Sequence, residues 1–243
     1  MNMANRVNEL GQPIGFAVAN WQPPLRPTRD PMVGQFCRLE SLDASRHAAD
    51  LHAANALDVE GRNWTYLPYG PFTKLDQYVH WVNNASLGDD PLFFAILDHS
   101  TGRAIGVASF LRIDPKNGSI EVGHINYSPL CQRRPAATEA MYLMMKRAFE
   151  LGYRRYEWKC DALNAKSRGA ATRLGLSFEG IFRQATVYKN RNRDTAWYSV
   201  LDTDWPALEG AFQLWLDPSN FDNHGHQRTG LSQLTATFSK PNG

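Results

Sequence analysis

Neither acid nor base dominates this chain. Lys and Arg number 26 and Asp and Glu 24 among 243 residues, a formal net charge of +2. That balance builds no field over the whole surface, so no nucleic-acid partner is expected and any anion site must be local. Cysteine is scarce. Cys37, Cys131 and Cys160 are too few and too scattered for a disulfide framework or a four-ligand zinc site. They fit a reducing, cytoplasmic setting. No apolar stretch approaches the ~20 residues that cross a bilayer. Residues 1–10 carry no basic-then-apolar leader pattern, so no membrane partner is expected either. Seven histidines are present, but no pair has metal-ligand spacing on a helix, and His224 and His226 fall in a polar stretch. No metal is expected.

Proline is unevenly spread. Pro13, Pro23, Pro24, Pro27 and Pro31 crowd the first 32 residues, where they rule out a helix or a central strand. Residues 1–32 are expected to form an extended arm. Phe16, Val18 and Trp21 are its apolar anchors, onto the body or onto a second subunit of a homo-oligomer. Residues 33–217 then read as one domain.

Its elements follow from periodicity and punctuation. A strand is expected at 35–42, followed by a helix capped by Asp43 and running to about 57. An aromatic loop at 61–72 precedes a helix ending near 88. Strands at 92–97, 104–113 and 120–127 form a meander turned by Thr101-Gly102 and Asn117-Gly118. A helix at 136–151 places Ala137, Met141, Met144, Met145 and Ala148 on one face. Glu139, Lys146, Arg147 and Glu150 fall on its watery side. Next come a strand at 156–161, a short helix at 165–174, strands at 176–188 and 196–201, and a helix at 204–216. The crossover from 120 to 161 makes those two strands parallel, in a mixed α/β sheet. Residues 218–243 read as a polar tail with little packing.

Two strand-to-helix junctions carry the chemistry. At Gln132-Arg133-Arg134-Pro135-Ala136-Ala137-Thr138-Glu139, free N–H groups and two guanidinium groups meet, which suits an anion. At Asn164-Ala-Lys-Ser167-Arg168, an amide and a hydroxyl lie one turn apart. Each junction by itself equally fits an ordinary capped helix. Cys131 has no histidine–acid partner nearby and receives no nucleophilic role.

Taken together and in this order, the two junctions resemble the GNAT family of acyl-CoA-dependent N-acetyltransferases over about residues 34–202. Its cofactor loop, Q/R-x-x-G-x-G/A, overlies residues 132–137. Glu121-Val-Gly-His124, the string 137–140, Asn164-x-x-Ser167-Arg168, Leu174-Gly-Leu176 and Phe178-Glu-Gly180 are similar to the RimJ/RimL-like branch, the ribosomal-protein N-acetyltransferases. The resemblance implies the GNAT fold: a mostly antiparallel mixed sheet with a splayed central parallel pair and flanking helices. It implies acetyl-CoA as co-substrate, held by Ile125, Asn126, Tyr127, Gln132, Arg133, Arg134, Pro135, Ala136, Ala137, Thr138, Asn164, Ser167 and Arg168. It makes Glu121 the base, with Asp161 the runner-up, and Ser167 the acid. It places Trp64, Tyr66 and Trp81 on the acceptor side, where aromatic core packing is the competing reading. The acceptor is a primary amine, on a protein N-terminus or a small molecule, reached by direct transfer in a ternary complex. Pro135 departs from the pattern: it stands where the family has glycine, and its missing N–H leaves open a CoA-binding module without turnover. A scaffold using arm and tail as contact segments is the reading from another class.

Overall fold

The computed structural model describes residues 6–223 and 225–238. His224, 1–5 and 239–243 lie outside them. A small hairpin pairs β1 (Arg6–Val7) with β2 (Pro13–Ile14). From Trp21 on, the arm lies along the body. The Trp21 indole donates to the Lys116 carbonyl (3.1 Å) and covers Gly118, where a Cβ would come within 2.4 Å of the ring. Arg26 donates to the Ile113 carbonyl, Arg29 to that of Gly88, and Pro24 and Pro27 are buried. Trp21 is therefore an anchor. Phe16 and Val18 are half-exposed instead, and the guanidinium of Arg154 sits 6.0 Å from the Phe16 ring.

The body is an eight-stranded sheet. In chain order the strands are β3 (Met32–Val33), β4 (Cys37–Ser41), β5 (Leu92–Asp98), β6 (Ala104–Asp114), β7 (Ser119–Tyr127), β8 (Arg155–Asp161), β9 (Ser177–Tyr188) and β10 (Arg191–Leu201). Their order across the sheet is β3-β4-β5-β6-β7-β8-β10-β9. Only β7 and β8 are parallel, as the crossover between them requires. That crossover is α3 (Pro135–Glu150), with Pro135 in its first turn and Gly152 (φ +93°) just past its end.

Helices cover both faces. Helices α1 (Ala44–Asn55) and α2 (Leu75–Ala85) lie over Phe93, Ala95, Leu97 and Val107. On the other face, α3, α4 (Ala165–Arg173) and α5 (Trp205–Leu216) cover Leu92, Phe94, Ile96, Tyr156 and Trp158. Strand β5 is thus buried on both faces, which explains its unbroken apolar run.

Two expectations need correction. Glu139 does not face water; it is 3% exposed. Its carboxylate accepts the backbone N–H groups of Gln35, Phe36 and Cys37 at 2.6, 2.7 and 2.8 Å. Gly34 leaves room for it, since a Cβ there would lie 2.3 Å from Glu139 Cδ. This carboxylate ties the β3–β4 turn to α3. Glu139→Gln, which turns an NH2 toward those donors, is expected to lower unfolding stability in urea by about 2 kcal/mol. A loss under about 0.5 kcal/mol, the range of neutral surface substitutions, would contradict the anchor.

The tail is the second correction. Residues 217–223 and 225–238 include segments that pack against the body. Phe221 meets Phe36 and Trp215 edge-on, and α6 (Leu231–Thr235) buries Leu231 to 1%. The Thr235 hydroxyl donates to the Arg173 carbonyl and Ser177 to that of Phe238.

Candidate functional site

The parallel pairing of β7 with β8 is short. Ser119 to Val122 match Arg155 to Trp158, and there the ladder stops. Beyond it β7 pairs only with β6 and β8 only with β10. A bulge helps to turn β7 away. Between the pairs Ser109↔Gly123 and Val107↔Asn126 it carries one residue more than β6, and His124 takes φ +50°. The result is a cleft with an open backbone edge on either side.

Ile125, Asn126 and Tyr127 lie on the β7 edge of this cleft. Asn126 is 5% exposed, and its Oδ1 finds no donor among the described residues. Buried amide oxygens are seldom left unpaired, so this one stands open to a donor. The Tyr127 hydroxyl donates to the Ala137 carbonyl (2.9 Å), joining β7 to the first turn of α3. The Tyr127 carbonyl accepts from Gln132 Nε2 (2.8 Å) and Asn63 Nδ2 (3.3 Å). Gln132 therefore latches the loop before α3 to the cleft edge.

The mouth of α3 opens at the same point. Arg133 adopts φ +59° and Arg134 is the N-cap residue. Ala137 N–H turns to the Arg134 carbonyl (3.1 Å), while no acceptor among the described residues takes the N–H of Arg133, Arg134 or Ala136. Pro135 has no N–H to offer. Both arginines are exposed, and the nearest acid to Arg134 is Asp98 at 3.9 Å. Unpaired N–H groups, the helix dipole and two exposed guanidinium groups, one of them in a long contact with Asp98, give this end the chemistry of an anion site. Thr138 faces inward, where its Oγ1 accepts from Arg173 at 3.2 Å. Sequence reading missed Arg173. Its guanidinium has no carboxylate partner among the described residues, and burial lowers its pKa. One basic residue in a short helix gives no signal of that kind.

The mouth of α4 lies across the cleft. Asn164 Oδ1 accepts the Ser167 N–H (3.1 Å), a regular N-cap. The Ser167 Oγ accepts the Trp158 indole N–H at 3.0 Å. Arg168 is committed elsewhere: its Nε donates to the Tyr198 hydroxyl, Nη1 to the Ala162 carbonyl, and Phe178 lies beneath it. Two of its five donors are thus taken by the protein, and Nη2 has no partner among the described residues.

Glu121 projects from β7 on the face covered by α1 and α2, at 1% exposure. Arg112 grips it with two bonds of 2.6 Å, and Lys159 adds a third at 2.9 Å. Lys159 also binds Glu157 (2.8 Å) and lies 3.7 Å above the Trp197 ring. Three donors from two cations occupy the Glu121 carboxylate. Asp161, at the end of β8, has neutral partners only: Leu163 N–H and the Tyr188 hydroxyl, both at 2.8 Å. Burial, with the Asp161 carboxylate adding to it, pushes the Tyr188 hydroxyl up to about 12.

The aromatic loop at 61–72 lies on the side of the cleft where the resemblance expects the acceptor. Trp64 is core: it is buried, with Phe72 edge-on at 5.4 Å. The Tyr66 hydroxyl donates to the Leu163 carbonyl, bridging to the loop before α4. Lys189 and Arg191, at the tip of the β9–β10 hairpin, donate to the carbonyls of Trp64, Gly70 and Thr65. Trp81 packs at a tilt against Tyr69, which stacks on His124 and shares a 3.2 Å hydrogen bond with its Nδ1. Burial depresses His124 to about 4, so that ring is neutral. Trp81 and Tyr69 also line a surface cavity of about 540 Å³ with Phe72, Gln77 and His80. Of the three acceptor-side residues, Tyr66 and Trp81 thus reach a cavity or cleft rim, and Trp64 supports them from beneath.

Among the described residues no group of His, Cys, Asp and Glu suits a metal ion, and no helix is long and apolar enough to cross a membrane. The family model described as Acetyltransferase (GNAT) domain matches residues 38–177. A GCN5-related N-acetyltransferase from Brucella melitensis is 48% identical, with a TM-score of 0.88 over 90% of this chain and 100% of that one. A probable GNAT-family acetyltransferase from Chromobacterium violaceum is 39% identical, with a TM-score of 0.74 over 81% and 98%. The uncharacterized N-acetyltransferase p20 of Bacillus licheniformis is 27% identical over 58% of this chain and 80% of its own length.

Proposed function

We propose, since the chain belongs to the GNAT acetyltransferase family, that it moves an acetyl group from acetyl-CoA to a primary amine in a ternary complex. It is an acyltransferase; the acceptor and the direct route are our reading. One observation carries that reading. The parallel strands part between two helix mouths, one offering unpaired N–H groups and the other a fixed serine hydroxyl. A structural neighbour of 20% identity, which shows the fold alone, is a microcin C7 self-immunity acetyltransferase in complex with acetyl-CoA and AMP.

The residues fit that co-substrate, whose thioester supplies an activated acyl group. The N–H groups of Arg133, Arg134 and Ala136, with both guanidinium groups, hold the pyrophosphate. The open β7 edge at 125–127 and Asn126 Oδ1 receive amide groups of the pantetheine arm, as an added strand would. Asn164 spends its Oδ1 on the cap and keeps its NH2 for the same arm. The Ser167 proton goes to the leaving sulfur. Asp161 is better placed than Glu121 to take the amine proton, because two neutral donors reach it, whereas three donors from two cations already crowd Glu121. The site needs no metal, and we place the enzyme in the cytoplasm.

The narrower likeness to the RimJ/RimL branch favours a protein N-terminus as acceptor. It rests on the motifs at 121–124, 137–140 and 164–168. A RimL ribosomal L7/L12 acetyltransferase shares the fold at 21% identity.

Calorimetry with acetyl-CoA, followed by transfer assays on peptide N-termini and small amines, tests the reading. Binding with turnover supports it. Binding without turnover across the panel would leave a CoA-binding module, and no binding would overturn the site. Pro135→Gly adds one N–H at the anion site and is expected to tighten acetyl-CoA up to about tenfold. Acetylated pantetheine fragments, which lack the pyrophosphate, should show no gain. An equal gain for those fragments would mean that the N–H does not face phosphate.

A further inference from the structure

Trp158 occupies the last paired position of β8 before the cleft opens, opposite Val122. Its side chain is 5% exposed within the apolar core under α3 and α4. An indole has one polar group, an N–H that only donates. Here that N–H points at Ser167 Oγ, 3.0 Å away.

A serine hydroxyl has one proton and two lone pairs, and rotates to suit its partners. In the first turn of a helix it commonly turns back and donates to a carbonyl three or four residues earlier. For Ser167 those carbonyls belong to Asn164 and Leu163. Spent there, the proton is lost to chemistry. The Leu163 carbonyl already receives the Tyr66 hydroxyl, and Trp158 fills a lone pair of Oγ from the core side. The backbone N–H of Ser167 is fixed by Asn164 Oδ1. The other polar group beside the hydroxyl is the Cys160 thiol, which burial raises although a hydrogen bond with Ser167 lowers it; kept protonated, its sulfur is only a weak acceptor for the serine proton. The serine is thus held from the core as an acceptor, and the weak Cys160 sulfur is the one core-side rival to the cleft for its O–H among the described residues.

We propose that Trp158 is a positioning residue for acid catalysis at Ser167, its indole N–H holding the serine oxygen so that the O–H faces the leaving sulfur. The inference rests on Ser167 as the acid in the reading above. As the acceptor amine forms its C–N bond and gives up a proton to the base, the C–S electron pair departs on sulfur. The sulfur takes the Ser167 proton. The indole N–H stabilises the oxygen while it lacks that proton, which it regains from water.

The test is a double-mutant cycle on the full-length protein with acetyl-CoA and the best amine of the panel. Trp158→Phe keeps an aromatic ring in place and removes the donor. We expect kcat to fall about tenfold, the cost of one hydrogen bond to a developing charge, with KM and Kd for acetyl-CoA within about twofold. Trp158→Phe combined with Ser167→Ala should be no slower than Ser167→Ala alone. Parent-like kcat in Trp158→Phe, or losses that multiply in the double variant, would overturn the positioning role. Parent-like kcat in Ser167→Ala would instead overturn the acid itself, which separates the two failures. Should Trp158→Phe fail to fold, 3-benzothienylalanine at position 158 keeps the bicyclic shape and lacks only the N–H. The same kinetic outcomes then decide.

Discussion

Ser167→Ala is expected to lower kcat about 10²-fold, the low end of what a general acid contributes, while acetyl-CoA binds as before. The reason is local. The hydroxyl makes no bond that the fold needs except the one received from Trp158. The helix start depends on the Ser167 N–H and Asn164 Oδ1, which alanine retains. Loss of the proton donor should therefore appear in turnover and not in Kd, with Tm lowered only by the Trp158 N–H left without its acceptor. Ser167→Cys, with a more acidic proton at nearly the same place, should recover part of the rate. A fall in Kd affinity equal to the fall in kcat/KM would mean that Ser167 only binds.

Lys159→Met is the second large effect, on stability. Lys159 stands between Glu121 and Glu157, and all three side chains are largely withdrawn from water. The chain of charge continues outward through Arg112 on one side and Arg155 and Glu179 on the other, with Ser199 donating to Glu179. Removing the central cation leaves two carboxylates facing each other with one partner each. Such a break typically costs about 3–5 kcal/mol. Urea unfolding at neutral pH measures it, and a loss under about 1 kcal/mol, the typical worth of an exposed pair, would show the network to be solvated.

The pH dependence gives an independent check on sign. Burial would raise the Glu157 carboxyl, but hydrogen bonds from Lys159 and Arg155 outweigh it and hold the group below the ordinary glutamate value. For Glu179 the bond from Arg155 is the leading cause of the same depression. A depressed carboxyl stabilises the fold above its unfolded value, and that stability is lost as pH falls through the folded one. The parent should therefore lose stability on acidification, and the gap between it and Lys159→Met should narrow.

Much of this architecture was legible in the order of residues, and the exceptions have physical causes. The caps at Asp43 and Asn164 are local and hold: Asp43 accepts the Arg46 N–H at 2.9 Å, and Asn164 serves Ser167. The crossover pair follows from connectivity, and the sheet is parallel there and nowhere else among its named pairs. The start of β10 was hidden because Arg191, Asn192, Arg193 and Asp194 carry no apolar alternation. Their partners on β9 recruit them across a tight turn in which Lys189 and Asn190 both take positive φ. Glu139 was misread because periodicity gives the face of a helix and not what lies on it. Here the strand-forming N-terminal chain supplies three donors. The tail looked polar because Phe221, Leu231, Leu234 and Phe238 are widely spaced, yet each meets the core. Trp158 was counted as a strand residue, and only the fold brings its N–H to Ser167. Arg168 matched a motif by position, but its side chain turns to Tyr198.

The Glu139 carboxylate also sets an order of events during synthesis. The backbone that it holds, at Gln35 to Cys37, leaves the ribosome 102 to 104 residues earlier. At about 5–20 residues per second, those donors wait roughly 5–20 s for their acceptor. Until then the first edge of the sheet is an open row of N–H groups, able to pair with any neighbouring nascent strand. Phe36 waits longer still for Phe221, its ring partner from the other end of the chain. Burden on chaperones should accordingly fall on the first hundred residues, and truncated products ending before Glu139 should be the ones that aggregate.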